Sequence, residues 1–376
     1  MEENKMNKKC GLYIHIPFCK KKCKYCDFIS FCDKNDYFDE YIDKLLAEAK
    51  EYQAKAVDTV FIGGGTPTVL NEEQLSRLIL GLSKIFLLTT DKEFSVEANP
   101  GTLNDRKLSV LKECGVNRLS IGVQSFKDSE LCDIGRIHSS RDAYDAVMMA
   151  KKAGFENINI DLMLNLPNQT KESLEMSLKT AVRLGVSHIS CYSLILEENT
   201  PLYNEYKCGK FMQASDDYDR ELYKFTTQYL KENGYNRYEI SNYAKPSKEC
   251  RHNIKYWSCE EYIGLGVAAH SYLDGVRFFN TSDFSEYLDG NFHNPDKEIL
   301  THTDKVCEYM IMKLRMSEGI NEAEFFNLFG AKIDDIYKNE LEKFLRLGLI
   351  KKQNGNYSLT DYGIDISNSV LCEFIR

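Results

Sequence analysis

The chain has 376 residues, 43% of them hydrophobic and 28% charged, the make-up of a globular protein with room for one large core and a smaller one. Its net charge of −9, with no basic stripe beyond the lysines at 20, 21, 22 and 24, argues against a nucleic-acid partner. No apolar run approaches the roughly 18 residues of a transmembrane helix and MEENKMNKKC carries no apolar leader core, so a cytoplasmic protein without a transmembrane segment is expected.

Taken in order, an apolar strand at 12–16 runs through Pro17 into a loop with Cys19, Cys23 and Cys26. Tyr37, Tyr41, Leu45 and Ala49 fall at helical spacing within a helix expected at 36–56. TVFIGGGTPT predicts a strand at 59–62 that ends in a glycine turn. A helix follows at 71–86, with Asn71 as its cap and Glu72 and Glu73 in its first turn. EFSVEANP is a third strand with a helix at 104–114, and RLSIGVQSF a fourth with a helix at 141–153. NINIDLMLNLP is a fifth with a helix at 170–184, and HISCYSLILEENTP a sixth. Six strands alternating with helices predict parallel βαβ units. Eight such units close a barrel and six leave it open, so the expected fold class is α/β, a partial (β/α)6 TIM-like barrel.

Residues 204–296 are less regular, with an amphipathic helix at 215–233 and a strand in YEISNYA. From Leu300 the chain changes to short helices that run into the turn and hairpin strand of NGNYSLTDYG, a mainly helical, winged-helix-like pattern. IDDIYKNELEKF is mixed and acidic, unlike a DNA-reading helix, so this segment reads as a docking or lid module. The expected division is 1–203, 204–296 and 297–376.

Thirteen cysteines, odd in number and scattered, make no disulfide framework. Cys10, Cys32, Cys114, Cys132, Cys191, Cys208, Cys307 and Cys372 read as small core residues. The C-x3-C-x2-C of Cys19, Cys23 and Cys26 is different: three thiolates can close around one face of an iron–sulfur cube and leave its fourth iron open. The neighbouring lysines are expected to lower the thiol pKa values. A zinc loop with a ligand elsewhere, or free thiols, are the alternatives from spacing alone. GGGTP at 63–67 fits neither phosphate-loop fingerprint, but its glycines let a ligand approach the backbone. Glu97, Gln124 and Asp161 stand at or near strand ends, where α/β folds build sites; a rim role is the bland reading of Glu97.

With Tyr25 before the last cysteine, the loop resembles the signature of the radical S-adenosylmethionine (SAM) superfamily. YIHIPFC is similar to the branch holding oxygen-independent coproporphyrinogen dehydrogenases and HemW-type heme chaperones. The resemblance implies a partial-barrel fold and a 4Fe-4S cluster on Cys19, Cys23 and Cys26, with SAM chelating the open iron through its amino and carboxylate groups. It implies that Gly64, Gly65 and Thr66 meet the SAM amino group, that Tyr13 lies beside cluster and SAM, and that Glu97, Gln124, Arg136 and Asp161 complete the cofactor site. Asp161 as a carboxylate would accept from ribose hydroxyls, and Arg136 would pair with a carboxylate of SAM or of a porphyrin.

The dehydrogenases extend their motif to a fourth cysteine, where this chain has Phe28, and carry a long segment before it, where this chain has 18 residues ahead of Cys19. His252, Asn253, Tyr256 and Trp257 match the H-N-x-x-Y-W pattern of the chaperone group. An imidazole can ligate heme iron, so His252 is the candidate axial ligand, with Cys250, Cys259 and His270 as competitors and a packed, hydrogen-bonded histidine as the structural alternative. The expectation is a chaperone that binds heme, a 4Fe-4S cluster and SAM and hands heme to a respiratory or other hemoprotein. The alternative is a radical enzyme acting on a porphyrinogen.

Overall fold

The computed structural model describes residues 9–376; the reading of the N-terminal leader falls on residues 1–8, outside the described residues. Six strands lie side by side in chain order and parallel: β1 (Cys10–Ile16), β2 (Ala56–Gly64), β3 (Leu87–Ala98), β4 (Arg118–Gln124), β5 (Asn157–Leu164) and β6 (His188–Ser193). Between them run α1 (Phe38–Ala49), α2 (Glu72–Ile85), α3 (Asp105–Glu113), α4 (Asp128–Asp133), α5 (Ser140–Lys152) and α6 (Lys171–Leu184). Asn71 caps α2 in a reciprocal box with Gln74, which satisfies two of the free N–H groups at that terminus. The sheet never closes. Past β6 it adds the antiparallel β7 (Asn236–Arg237) and β8 (Asn242–Ala244), and on the other flank of β1 the parallel β9 (Tyr262–Leu265) followed by the antiparallel β10 (His270–Leu273), β11 (Val276–Asn280) and β12 (His293–Ile299). This is the partial (β/α)6 barrel, extended at both edges.

After β6 come α7 (Pro201–Lys207) and α8 (Asp216–Glu232), and α9 (Arg251–Trp257) precedes β9. The backbone N–H groups of Arg251 and His252 donate to the Glu93 carboxylate at 3.0 Å each, so a strand residue serves the free N-terminal donors of α9. One apolar cluster unites strands β1–β6 and β9 with their helices, from Cys10 to Leu288. A second, from Val306 to Phe374, holds helices at 302–313, 322–329 and 333–346 against a small antiparallel sheet of β13 (Ile320–Asn321), β14 (Ile350–Gln353) and β15 (Asn356–Leu359). Helices backed by a β14–β15 hairpin give the winged-helix-like C-terminal arrangement.

Local expectations shift in four places. The sixth strand ends at Ser193, because Leu194 onward leaves the sheet for the turn before α7. YEISNYA pairs in the sheet only over Asn242–Ala244. α4 is an extra short helix between β4 and α5. Cys10, Cys191 and Cys307 are core residues, whereas Cys32, Cys132, Cys208 and Cys372 are exposed, which corrects the reading of all eight as buried.

Candidate functional site

The cysteine loop leaves the C-terminal end of β1 and is pinned at three points. Phe31 N donates to Pro17 O and Cys19 N to Phe31 O, Lys24 N donates to Ile134 O at 3.0 Å, and Leu202 N donates to Lys24 O at 2.9 Å. Tyr25 packs into a small apolar cluster with Ile134, Met163, Leu194 and Leu202, which anchors the loop between Cys23 and Cys26. Gly65 N donates to Ile16 O and Thr66 N to Phe18 O, so the glycine turn after β2 is stitched to the root of the same loop.

One cavity of about 150 Å³ collects the predicted residues. Cys19, Cys23, Cys26 and Tyr25 face it from the loop, and Gly64, Gly65 and Thr66 from the end of β2. Glu97, Gln124, Arg136 and Asp161 complete its wall. The backbone is fitted to this crowding: a Cβ on Gly63 would stand 2.8 Å from Glu97 Oε2, and one on Gly65 would stand 2.6 Å from Phe18 O. Gln124 holds φ at 70°, a costly value for a non-glycine residue that recurs at ligand-holding positions. Arg136 donates from Nη1 to Cys23 Sγ at 3.3 Å and from Nη2 to Asn99 and the Gly122 carbonyl. Tyr13 is not on the cavity wall: its hydroxyl is bonded to His15 Nδ1 and its ring stacks on Phe61.

Burial dominates the electrostatics. Glu97 is pushed up to about 8 by desolvation and by the nearby Asp161, and the Asp161 carboxyl is raised by its own desolvation, opposed by the Asn159 hydrogen bond. Asp161 can therefore donate as well as accept when protonated. Cys19 and Cys26 correct the expectation of lowered pKa values: burial raises Cys19 and pushes Cys26 up to about 11. Three of the lysines have partners of their own, Lys20 and Lys22 donating to the Gly101 and Phe28 carbonyls at 2.9 Å and Lys24 pairing with Glu205 at 3.1 Å, so burial outweighs their charge at these thiols. Among the described residues no three His, Cys, Asp or Glu side chains are placed to hold a single metal ion.

Sequence reasoning passed over Asn99, Tyr192, Arg118 and Ser120. Asn99 donates to Thr66 Oγ1 at 2.7 Å and accepts from Arg136, and Tyr192 donates to Gln124 at 3.2 Å. The signal was present as period-two polarity, with Ser95 and Glu97 on β3, Asn99 just past its end, and Arg118, Ser120 and Gln124 on the next strand. A second cavity of about 510 Å³ adjoins the first along the barrel interior, from Phe28 and Ile195 to Arg118 and Asn253.

His252 is elsewhere. It is 1% exposed, with Nδ1 bonded to Thr59 Oγ1 at 2.9 Å and Nε2 to the Tyr256 hydroxyl at 2.8 Å. Burial, then the charge of Lys255, pushes it down to about 3, so the ring is neutral with both nitrogens used. A Cβ on Gly11 would touch its ring, which places it at the start of β1, the end away from the cysteine loop. Both ring nitrogens are thus taken up by hydrogen bonds, the packed arrangement that stands as the structural alternative to axial ligation. Cys250 is buried and pushed up to about 12, and Cys259, also pushed up to about 12, packs against the C-terminal cluster. His270 is exposed and stacks on Phe279.

The Radical SAM superfamily model matches residues 13–181, and the HemN C-terminal domain model matches 300–366. The chain is 37% identical to the heme chaperone HemW of Lactococcus lactis over 98% of both chains. It is 39% identical to that of Bacillus subtilis over 96% of this chain and 98% of that one, and 34% identical to that of Escherichia coli over 97% and 98%. Among solved structures, the Escherichia coli coproporphyrinogen III oxidase HemN, described as a radical SAM enzyme, superposes with a TM-score of 0.87 at 24% identity over 98% of this chain and 91% of that one.

Proposed function

The chain belongs to the HemW family of heme chaperones within the radical SAM superfamily, and from that premise we propose that it binds a 4Fe-4S cluster, SAM and heme and passes the heme to an acceptor hemoprotein. The observation that carries this reading is the convergence of the three loop thiols with Gly64, Gly65, Thr66, Glu97, Gln124 and Asp161 on one cavity. The donor set fits the cofactors: three thiols for three irons, a glycine turn that admits a ligand against the backbone, and carboxyl groups for polar arms of SAM. When bound, the cluster supplies an open iron and an electron to SAM. The chain's own contribution is to hold and neutralise: Arg136 sets its guanidinium against the Cys23 sulfur, and Asn159 orients Asp161 through a 2.7 Å hydrogen bond. A reducing cytoplasm suits the thiols. The barrel residues 1–203 would hold cluster and SAM, 204–296 would close the barrel, and 297–376 would serve as docking or lid module for the acceptor.

The second reading, a radical enzyme acting on a porphyrinogen, is favoured by the axial cavity that opens beside the cofactor cavity. Phe28, in place of a fourth cysteine, weighs toward the chaperone. Anaerobically reconstituted protein titrated with heme, in parallel with coproporphyrinogen III plus SAM, decides between them. Saturable heme binding without porphyrinogen turnover is expected. Turnover without tight heme binding reverses the order.

A further inference from the structure

Arg118 is 2% exposed, its Nε is buried with no hydrogen-bond partner, and its side chain lines the axial cavity. A buried charge is costly unless it is paired and hydrogen-bonded. The three nearby carboxyl groups that act on it are bonded to other partners: Glu93 caps α9, Asp161 is bonded to Asn159, and Glu97 accepts from Gly64 N. Burial also holds Glu97 and Asp161 toward their neutral forms, which leaves the guanidinium charge less compensated. Asn242 Oδ1, on the same cavity wall, is a second buried polar atom without a partner.

The register sets the depth. Arg118 pairs with Ser95 and Ser120 with Glu97, so Arg118 stands one inward layer below Glu97, about 7 Å further from the cysteine loop. At the other end of the cavity stand Phe28 and Ile195, 65% and 68% exposed, an apolar rim around a polar interior.

We propose that the axial cavity is a carboxylate site anchored by Arg118, and that the carboxylate is a propionate of the tetrapyrrole, whose ring rests on Phe28 and Ile195 at the rim. A guanidinium presents paired donors that match a carboxylate in a bidentate fork, and its burial makes the pairing strong. The naming of the ligand rests on the heme reading above; the anchor itself rests on the geometry. The other source of the same chemistry is the carboxylate of SAM.

The test uses the full-length, anaerobically reconstituted protein, titrated with heme, with heme dimethyl ester and with SAM. Wild type is compared with Arg118→Gln and Arg118→Lys, with iron content and circular dichroism as controls for folding. Wild type is expected to prefer heme over its ester by about tenfold or more, the size of a charged hydrogen-bond pair. Arg118→Gln should lose that preference and Arg118→Lys keep part of it. The ester comparison needs no substitution, so it decides even if Arg118→Gln does not fold. Equal binding of heme and ester by wild type overturns the anchor and leaves the heme reading intact. A fall in SAM affinity, with heme discrimination unchanged, keeps the carboxylate site and overturns its assignment to heme. Absence of saturable heme binding in wild type overturns the heme reading itself.

Discussion

Gly65→Ala isolates the joint between the glycine turn and the cysteine loop. A Cβ there would lie 2.6 Å from Phe18 O, 2.9 Å from Phe18 N and 3.0 Å from Ile16 O, all backbone atoms that cannot swing aside. Relief requires moving the turn off the loop root, which strains or breaks the bonds from Gly65 N to Ile16 O at 2.9 Å and from Thr66 N to Phe18 O at 2.8 Å. Overpacking and the loss of two hydrogen bonds together cost about 2–6 kcal/mol. The displacement falls on Cys19, which follows Phe18 directly, so cluster loading should drop with stability. Gly101→Ala is the matched control, since its Cβ meets nothing within 4 Å in the neighbouring turn. Its change should stay within about 1 kcal/mol, on the stabilising side if any. Iron per chain after anaerobic reconstitution and the urea midpoint read both effects. A Gly65→Ala protein that matches Gly101→Ala in both would refute the argument that this turn and the loop are one rigid unit.

Replacing Cys19, Cys23 and Cys26 together with alanine should abolish iron–sulfur absorbance, and full iron retention would move the cluster elsewhere. Asp161→Ala should weaken SAM binding by on the order of 1.5–3 kcal/mol with iron content unchanged, read by calorimetry. His252→Ala leaves Thr59 and Tyr256 without their buried partner and should cost about 2–5 kcal/mol in urea unfolding while the Soret band of bound heme stays put; a shifted band would restore His252 as a ligand. Glu48, fully buried and pushed up to about 7 from 4.5 by desolvation, favours the folded state fully below pH 4.5 and loses that advantage as pH rises through 7. Wild type should therefore lose on the order of 3 kcal/mol relative to Glu48→Gln between pH 4.5 and 8; a pH-independent difference in urea midpoints would contradict the buried-carboxyl account.

The barrel was legible because each βα unit declares itself locally. An apolar run ends in a turn, and a capped amphipathic helix follows, as at Asn71 and Thr170. The cavity at the strand ends was legible because its residues sit at strand ends and in turns with distinctive spacing. Side-chain partnership across the sheet was not. Nothing near Arg118 in sequence reveals that its neighbours are Glu93 and Cys250, and the exposure of Cys32 or Cys132 depends on how loops lie over the helices. Thiol acidity was misread for the same reason. Lysines beside cysteines in sequence imply a cationic pocket, but in space those ammonium groups reach carbonyls and Glu205, and burial decides.

The hexapeptide at 252–257 shows how much architecture a pattern of chemically suggestive residues can carry. Its helix closes the barrel at the starts of the strands. His252 bonds Thr59 of β2, and Lys255, buried, pairs with Asp58 of the same strand at 3.1 Å. Tyr256 completes the histidine's bonding at helical spacing and meets Tyr262 of β9 edge-on. Ile254 and Trp257 turn the other way, packing with Tyr238, Ala244 and Met316, and the Trp257 ring receives Arg315 at 4.7 Å. Asn253 alone faces the axial cavity. The motif is thus a wedge between the barrel floor and the segment that leads into the C-terminal helices. The rim of Phe28 and Ile195 stands at the other end of the axial cavity, next to the cysteine loop.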